Sequence, residues 1–162
     1  MLTPARALPD GRLAELTKAY LSADYRWQCD GRWHHLHIGQ PAPELERVEP
    51  GARCHGFLSG WDPWSIPRAE ALNREADEAL QACLLEAGKP FRPAFASAPN
   101  RTWREPSWLV SGMELTEFDA LVQQFGQLGS LWWRTGEPVR LRMAARCPPG
   151  FSNVAWLDWI GA

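Results

Sequence analysis

Two short segments hold most of the side chains with chemistry to offer. One reads Trp61-Asp62-Pro63-Trp64-Ser65; the other brings Asn100, Arg101, Trp103, Arg104 and Glu105. Asn73, Arg74 and Gln127 complete the candidate group. Indole faces are flat apolar platforms, and set beside a few polar groups they resemble the lining of a ligand cleft. Asp62 and Glu105 are two carboxyls that could share acid–base work if they converge. A helix starting just after Ser65 would add free N–H groups and a positive dipole end, which favours an anion. The plain alternative makes Asp62 and Ser65 turn and cap residues, packs the indoles in the core, and bonds the carboxylates to Arg74, Arg101 or Arg104.

Histidine raises a metal question. His35 and His37 share one face of a strand, and Cys54 or His55 on a neighbouring strand could add a third ligand. No ligand pair at standard zinc spacing accompanies them, so an exposed edge hairpin is the plainer reading, and no cofactor is expected. Arg134, Arg140, Arg142 and Arg146 with Trp132 and Trp133 make a basic, aromatic stretch suited to stacking on single-stranded nucleic acid. The formal net charge of -2 argues against that use. The chain has no G-x-S-x-G, no P-loop and no H-E-x-x-H, and no cysteine has an evident histidine base.

These residues need elements to hold them. Asp10 can cap a helix over about 11–22, with Leu13, Leu16, Tyr20 and Leu21 on one face. Asp30-Gly31 between two β-prone runs predicts a hairpin in which Cys29 faces Arg32 and Trp27 faces His34. Residues 39–51 hold three Pro and many charges and read as a loop. Cys54–Gly60 reads as a strand broken by Asp62-Pro63. Pro67 suits the first turn of a helix reaching Ala87, with Ala69, Leu72, Ala76, Leu80, Cys83 and Leu84 buried and Gly88 as its cap. Phe91–Ala96 and Ser107–Met113 read as strands, with a polar loop over 98–106. Thr116-x-x-Asp119 looks like a capping box opening a helix that Gly126 closes. Leu131–Arg134 and Val139–Ala144 form a further hairpin. The tail, 148–162, shows no period.

Paired strands with two substantial helices predict one α+β domain over residues 1–162. We expect a two-layer sandwich, a mixed and largely antiparallel sheet with its two main helices on one face. The 162 residues, 45% apolar and 22% charged, suffice for such a core. No apolar run approaches a membrane span, and the N-terminus lacks a signal-peptide pattern. A cytoplasmic protein with four free thiols is expected.

One stretch resembles a known family. Phe57-Leu-Ser-Gly-Trp-Asp-Pro-Trp-Ser65 is similar to a signature of the bacterial domain-of-unknown-function family 3293. Ile38-Gly39-Gln40, Asn73-Arg74, Trp103-x-Glu105-x-Ser107 and Phe125-Gly126-Gln127 fit the same order, so the resemblance spans about 25–135. It departs at Ser59-Gly60, where that family has Thr-Ala, and at Asp62, where it has Asn. It implies a small bacterial α+β protein and supplies no catalytic residues. The sequence therefore points first to a module that binds a small polar ligand or a partner through a Trp/Arg-lined surface. The alternatives are an enzyme using Asp62 and Glu105 on a nucleotide or phosphorylated metabolite, and a binder of single-stranded nucleic acid.

Overall fold

The computed structural model describes residues 8–161. Helix α1 (Asp10–Ser22) leads into strands β1 (Asp24–Cys29) and β2 (Arg32–Leu36). Helix α2 (Pro43–Val48), β3 (Cys54–Leu58) and α3 (Glu70–Ala87) follow, with one 3-10 turn at Pro63–Ser65 between the last two. Then come β4 (Phe91–Ser97), β5 (Arg104–Ser111), α4 (Leu115–Gln124), β6 (Gly129–Arg134), β7 (Leu141–Met143) and β8 (Leu157–Trp159). The strands form one eight-stranded sheet in the order β2-β1-β4-β5-β3-β6-β7-β8. Every pairing is antiparallel except β7 with β8. The expected α+β class and mixed, largely antiparallel sheet are present.

Strand alternation sorts the core onto two faces. In β3, Phe57 joins a cluster with Tyr25, Trp27, Leu109, Leu131 and Trp133, under Leu13 of α1 and Leu45 of α2. Its neighbours Cys54 and Leu58 join the other cluster, with Leu80 and Leu84 of α3 and Phe118 and Val122 of α4. Helices α3 and α4 thus cover one face together. Helices α1 and α2 add a partial layer on the other.

The Asp30-Gly31 hairpin has the expected register, Cys29 opposite Arg32 and Trp27 opposite His34. Both turn residues take positive φ, 51° and 74°, as that turn requires. Elsewhere local signals gave way. Helix α3 starts at Glu70, not Pro67, because residues 66–69 run extended so that the Arg68 N–H can reach Asp62 Oδ1. Its buried residues are Asn73, Leu80 and Leu84. Leu72, expected inside, is exposed, since the helix turns the Asn73 amide inward instead. Neither Asp10 nor the Thr116/Asp119 pair makes a side-chain cap; α4 begins at Leu115, and Asp119 binds Arg142 with bonds of 3.2 and 2.6 Å. The expected loop over 39–51 contains α2, opened by a Pro at its first turn and anchored by Leu45. The tail supplies β8.

The most consequential difference is the start of β5. Residues 104–106 lie in the strand, paired with Ser97, Ala96 and Phe95 of β4, rather than in a loop. Pro106 is tolerated because it lies past the end of the β3 ladder, where its missing N–H forfeits no strand bond. Its carbonyl on that side accepts from Ser59 Oγ at 2.7 Å.

Close packing between β3 and α4 is testable. A Cβ on Gly56 would come within 2.4 Å of the buried Phe118 ring. We predict that Gly56→Ala destabilises the protein by about 1–3 kcal/mol in urea unfolding. Gly51→Ala, which meets nothing within 4 Å, should stay within about 0.5 kcal/mol of wild type.

Candidate functional site

Strand β3 ends at Leu58, and the chain beyond it makes an unusual turn. Asp62, Trp64 and Ser65 all have left-handed backbones, with φ of 43°, 59° and 58°. A bulky residue such as tryptophan rarely takes that region, and each such residue costs on the order of 1–3 kcal/mol. With Arg101, these make four of the six described non-glycine residues at positive φ, all within the two segments singled out above.

The strain is held by specific bonds. Asn73 Oδ1 accepts from the Asp62 N–H at 2.9 Å and from Arg68 Nε at 2.7 Å. Asn73 Nδ2 donates back to Asp62 Oδ1 at 2.9 Å. Arg68 also donates to the Gly60 carbonyl at 3.2 Å. The Trp64 N–H donates to the Gly126 carbonyl at 2.7 Å, and Gln127 Nε2 donates to the Trp61 carbonyl at 3.0 Å. A Cβ on Gly126 would lie 3.0 Å from Pro63 Cβ and 3.2 Å from Trp64 Nε1, so the turn needs glycine there.

Next to this turn, which bonds to the lining residues Gln127 and Tyr20, is a hollow of about 20 Å³ on the α1 face of the sheet. Glu105 and Ser107 of β5 line it with Ser59, Gln127 and Trp103. So do Tyr20 of α1, Tyr25 of β1 and Phe57 of β3. Tyr20 lies flat on the sheet because Gly129 has no Cβ; one would come within 2.6 Å of its ring. Its hydroxyl pairs with Ser65 Oγ at 2.8 Å, and the Tyr25 hydroxyl donates to its carbonyl. Burial, with the Glu105 charge adding to it, pushes both phenols above their usual range.

Glu105 is the chemical centre of the hollow. Burial pushes its carboxyl up to about 7, against the nearby Ser59 hydroxyl and with help from the Asp62 charge. Among the described residues no Lys, Arg or His forms a salt bridge with it.

The candidate residues divide accordingly. Trp103 and Gln127 line the hollow with Glu105; Trp61, Asp62, Trp64, Ser65 and Asn73 do not line it but form the adjoining turn, which bonds to Tyr20 and Gln127. Arg74 is exposed and pairs with Glu70 at 2.7 Å. Arg101 is exposed and caps a tight turn through its N–H to the Ala98 carbonyl. Among the described residues no arginine lines the hollow. The expected helix N-terminus beside Ser65 is absent, because α3 begins at Glu70. Tyr20 and Tyr25 escaped the sequence reading, which gave Tyr20 only a place on a helix's apolar face. Their one signal was the phenol hydroxyl, which needs a partner when buried.

The histidines do not meet. His35 and His37 stack at 5.7 Å, on and just beyond β2 at the sheet edge. His55 lies on β3, four strands away, or roughly 19 Å at the usual spacing. It is buried, with Nδ1 2.9 Å from Ser111 Oγ and Nε2 3.2 Å from Thr135 Oγ1. No group of three or more His, Cys, Asp or Glu among the described residues could hold a metal ion. In the basic stretch, Arg140 forks onto Asp158, Arg142 is buried against Asp119, and Trp132 and Trp133 are core residues.

Residues 58–129 match the model of a family described as a protein of unknown function, DUF3293. The resemblance seen in the sequence therefore holds over the central part of the chain, and Ile38-Gly39-Gln40 lies outside it. The DUF3293-like segment carries the strained turn, Asn73, Trp103, Glu105 and Gln127. Tyr20 and Tyr25 come from outside it. No curated protein and no solved structure matches the chain.

Two groups drawn out of water, the half-buried Glu105 and the buried His55, set opposing pH responses. Glu105 holds its proton more tightly folded than unfolded, so its contribution is fully present below about 4.5 and is lost as pH rises through 7. Burial lowers His55 to about 4, so its contribution is present above 6.5 and is lost as pH falls through 4. Between about 4.5 and 6.5 the two slopes oppose, and we predict a shallow profile for wild type. Glu105→Gln removes one slope. Its stability relative to wild type should grow from pH 4.5 to 7 by on the order of 2 kcal/mol in urea unfolding. A constant difference across that range would contradict the assignment.

Proposed function

We propose that this protein is a binding module that recognises a small polar ligand at the Glu105 hollow, with Trp103 as its exposed platform. The observation that carries this reading is the Glu105 carboxyl, half-buried and without a cation partner among the described residues, lining a space that opens on solvent. A carboxyl held largely out of water without a cation is costly to keep, and such groups cluster where a ligand supplies the missing partner. The strained turn beside it fits the same account, because backbone strain gathers at functional sites. Trp103 is 38% exposed at the rim, placed to cover the outer part of a ligand.

A second reading is acid–base catalysis by Glu105, favoured by a carboxyl that titrates near neutrality. Asp62, its expected partner, has Oδ1 occupied by the Asn73 amide and the Arg68 N–H, which suits it to holding the turn. A lining without cations also speaks against a phosphate end in the hollow.

The two readings part on one experiment. The protein is screened by thermal shift and tryptophan fluorescence against polar metabolites, and each hit is then followed for turnover. A hit that persists unchanged supports the module, and conversion of the hit supports the enzyme. Trp103→Ala should weaken binding of any hit by on the order of 1 kcal/mol or more while leaving the melting temperature near wild type. Unchanged affinity removes Trp103 from the site, and silence across the panel removes small-ligand binding.

A further inference from the structure

The lining of the hollow has a specific chemistry. Among the described residues Glu105 is the one charged side chain in the lining, and four aromatic rings line the hollow with it: Tyr20, Tyr25, Phe57 and Trp103. Tyr25 and Phe57 meet edge to face, with centroids 5.4 Å apart. Aromatic faces carry negative potential and attract cations, most of all where water is excluded. A carboxyl ringed by aromatics therefore selects a positive group and repels an anion. Size narrows the choice. About 20 Å³ admits roughly one water-sized group, since a water needs at least 10–15 Å³ measured this way. A primary ammonium is that size; a trimethylammonium head is several times larger.

We propose that the hollow receives the primary ammonium group of an amine ligand, with the Glu105 carboxylate as counter-ion and the aromatic rings as its walls. This deepens the binding-module reading above and rests on it. The rest of the ligand extends past Trp103 to solvent. The acceptors facing the ammonium suit its three donors: Glu105 provides carboxylate oxygens, and the Ser59 and Ser107 hydroxyls lie beside it. In the free protein the carboxyl sheds its cost by holding a proton near neutrality; an arriving ammonium displaces that proton to solvent. The titratable groups facing Glu105 are Asp62 from the turn, Tyr20 from α1 and Tyr25 from β1. None is cationic, so among the described residues the ammonium meets no like charge.

The test uses the full chain and three probes of similar bulk: n-butylammonium, 1-butanol and tetramethylammonium. Binding is followed by calorimetry and ligand-observed NMR at low salt. At pH 8, n-butylammonium should bind in the millimolar range, at least tenfold more tightly than either of the others. Between pH 8 and pH 6 its affinity should fall about tenfold, as Glu105 takes up its proton. Glu105→Gln should lower it at least tenfold at pH 8, with melting temperature confirming a folded variant. Trp103→Ala, at an exposed position, is a second probe and should also weaken binding. Equal binding of 1-butanol, tighter binding of tetramethylammonium, or an unaltered affinity in E105Q would each overturn the proposal. Absence of n-butylammonium binding overturns it too. A neutral ligand found in the metabolite screen and lost in Trp103→Ala would then leave the wider reading standing.

Discussion

The side chain of Asn73 governs the geometry of everything near the hollow. One amide, buried on α3, accepts from the Asp62 backbone and the Arg68 guanidinium and gives a bond back to the Asp62 carboxylate. These bonds offset the backbone strain of residues 62–65, because a buried amide left without partners would cost about as much as the strain itself. They also delay the start of α3, since Arg68 cannot serve Asn73 and Gly60 from within a helix. The turn so fixed carries Ser65 to Tyr20 and the Trp61 carbonyl to Gln127. An isolated feature of one helix thereby decides where three other elements meet.

Much of the fold could be read from local signals, and the exceptions share a cause. The Asp30-Gly31 turn fixed its own register because an Asp-Gly pair takes two successive positive φ values at little cost. Leu80 and Leu84 of α3, and Phe118 and Val122 of α4, followed helical periodicity. The misread positions are those where a distant partner outweighs local preference. Leu72 lost the core to Asn73 because the turn needs an amide there. Asp119 gave up capping for Arg142, a charge twenty-three positions away. Residues 104–106 joined a strand because β4 supplied a ladder that no propensity could reveal.

The candidate site was half visible for the same reason. Trp61, Asp62, Asn73, Trp103, Glu105 and Gln127 were conspicuous as residue types, and the sheet order β4-β5-β3-β6 does gather them. The sign of the site was not visible. Arg74 and Arg101 lie close in sequence to its members, yet helix and turn geometry direct them elsewhere, leaving a lining of one acid and four rings. Tyrosines 20 and 25 arrive from α1 and β1, and nothing in their own neighbourhood marks them.

The strand order also sets how the molecule must assemble. Strand β3 is central, but its partners lie far along the chain: His55 bonds Ser111 fifty-six residues on and Thr135 eighty residues on. Closing such long loops comes before their reward, which slows folding relative to a chain of nearest-neighbour hairpins. During synthesis β3 therefore emerges early, apolar and unpaired on both edges, and must wait for β5 and β6. The nascent chain carries its greatest exposure to aggregation in that interval.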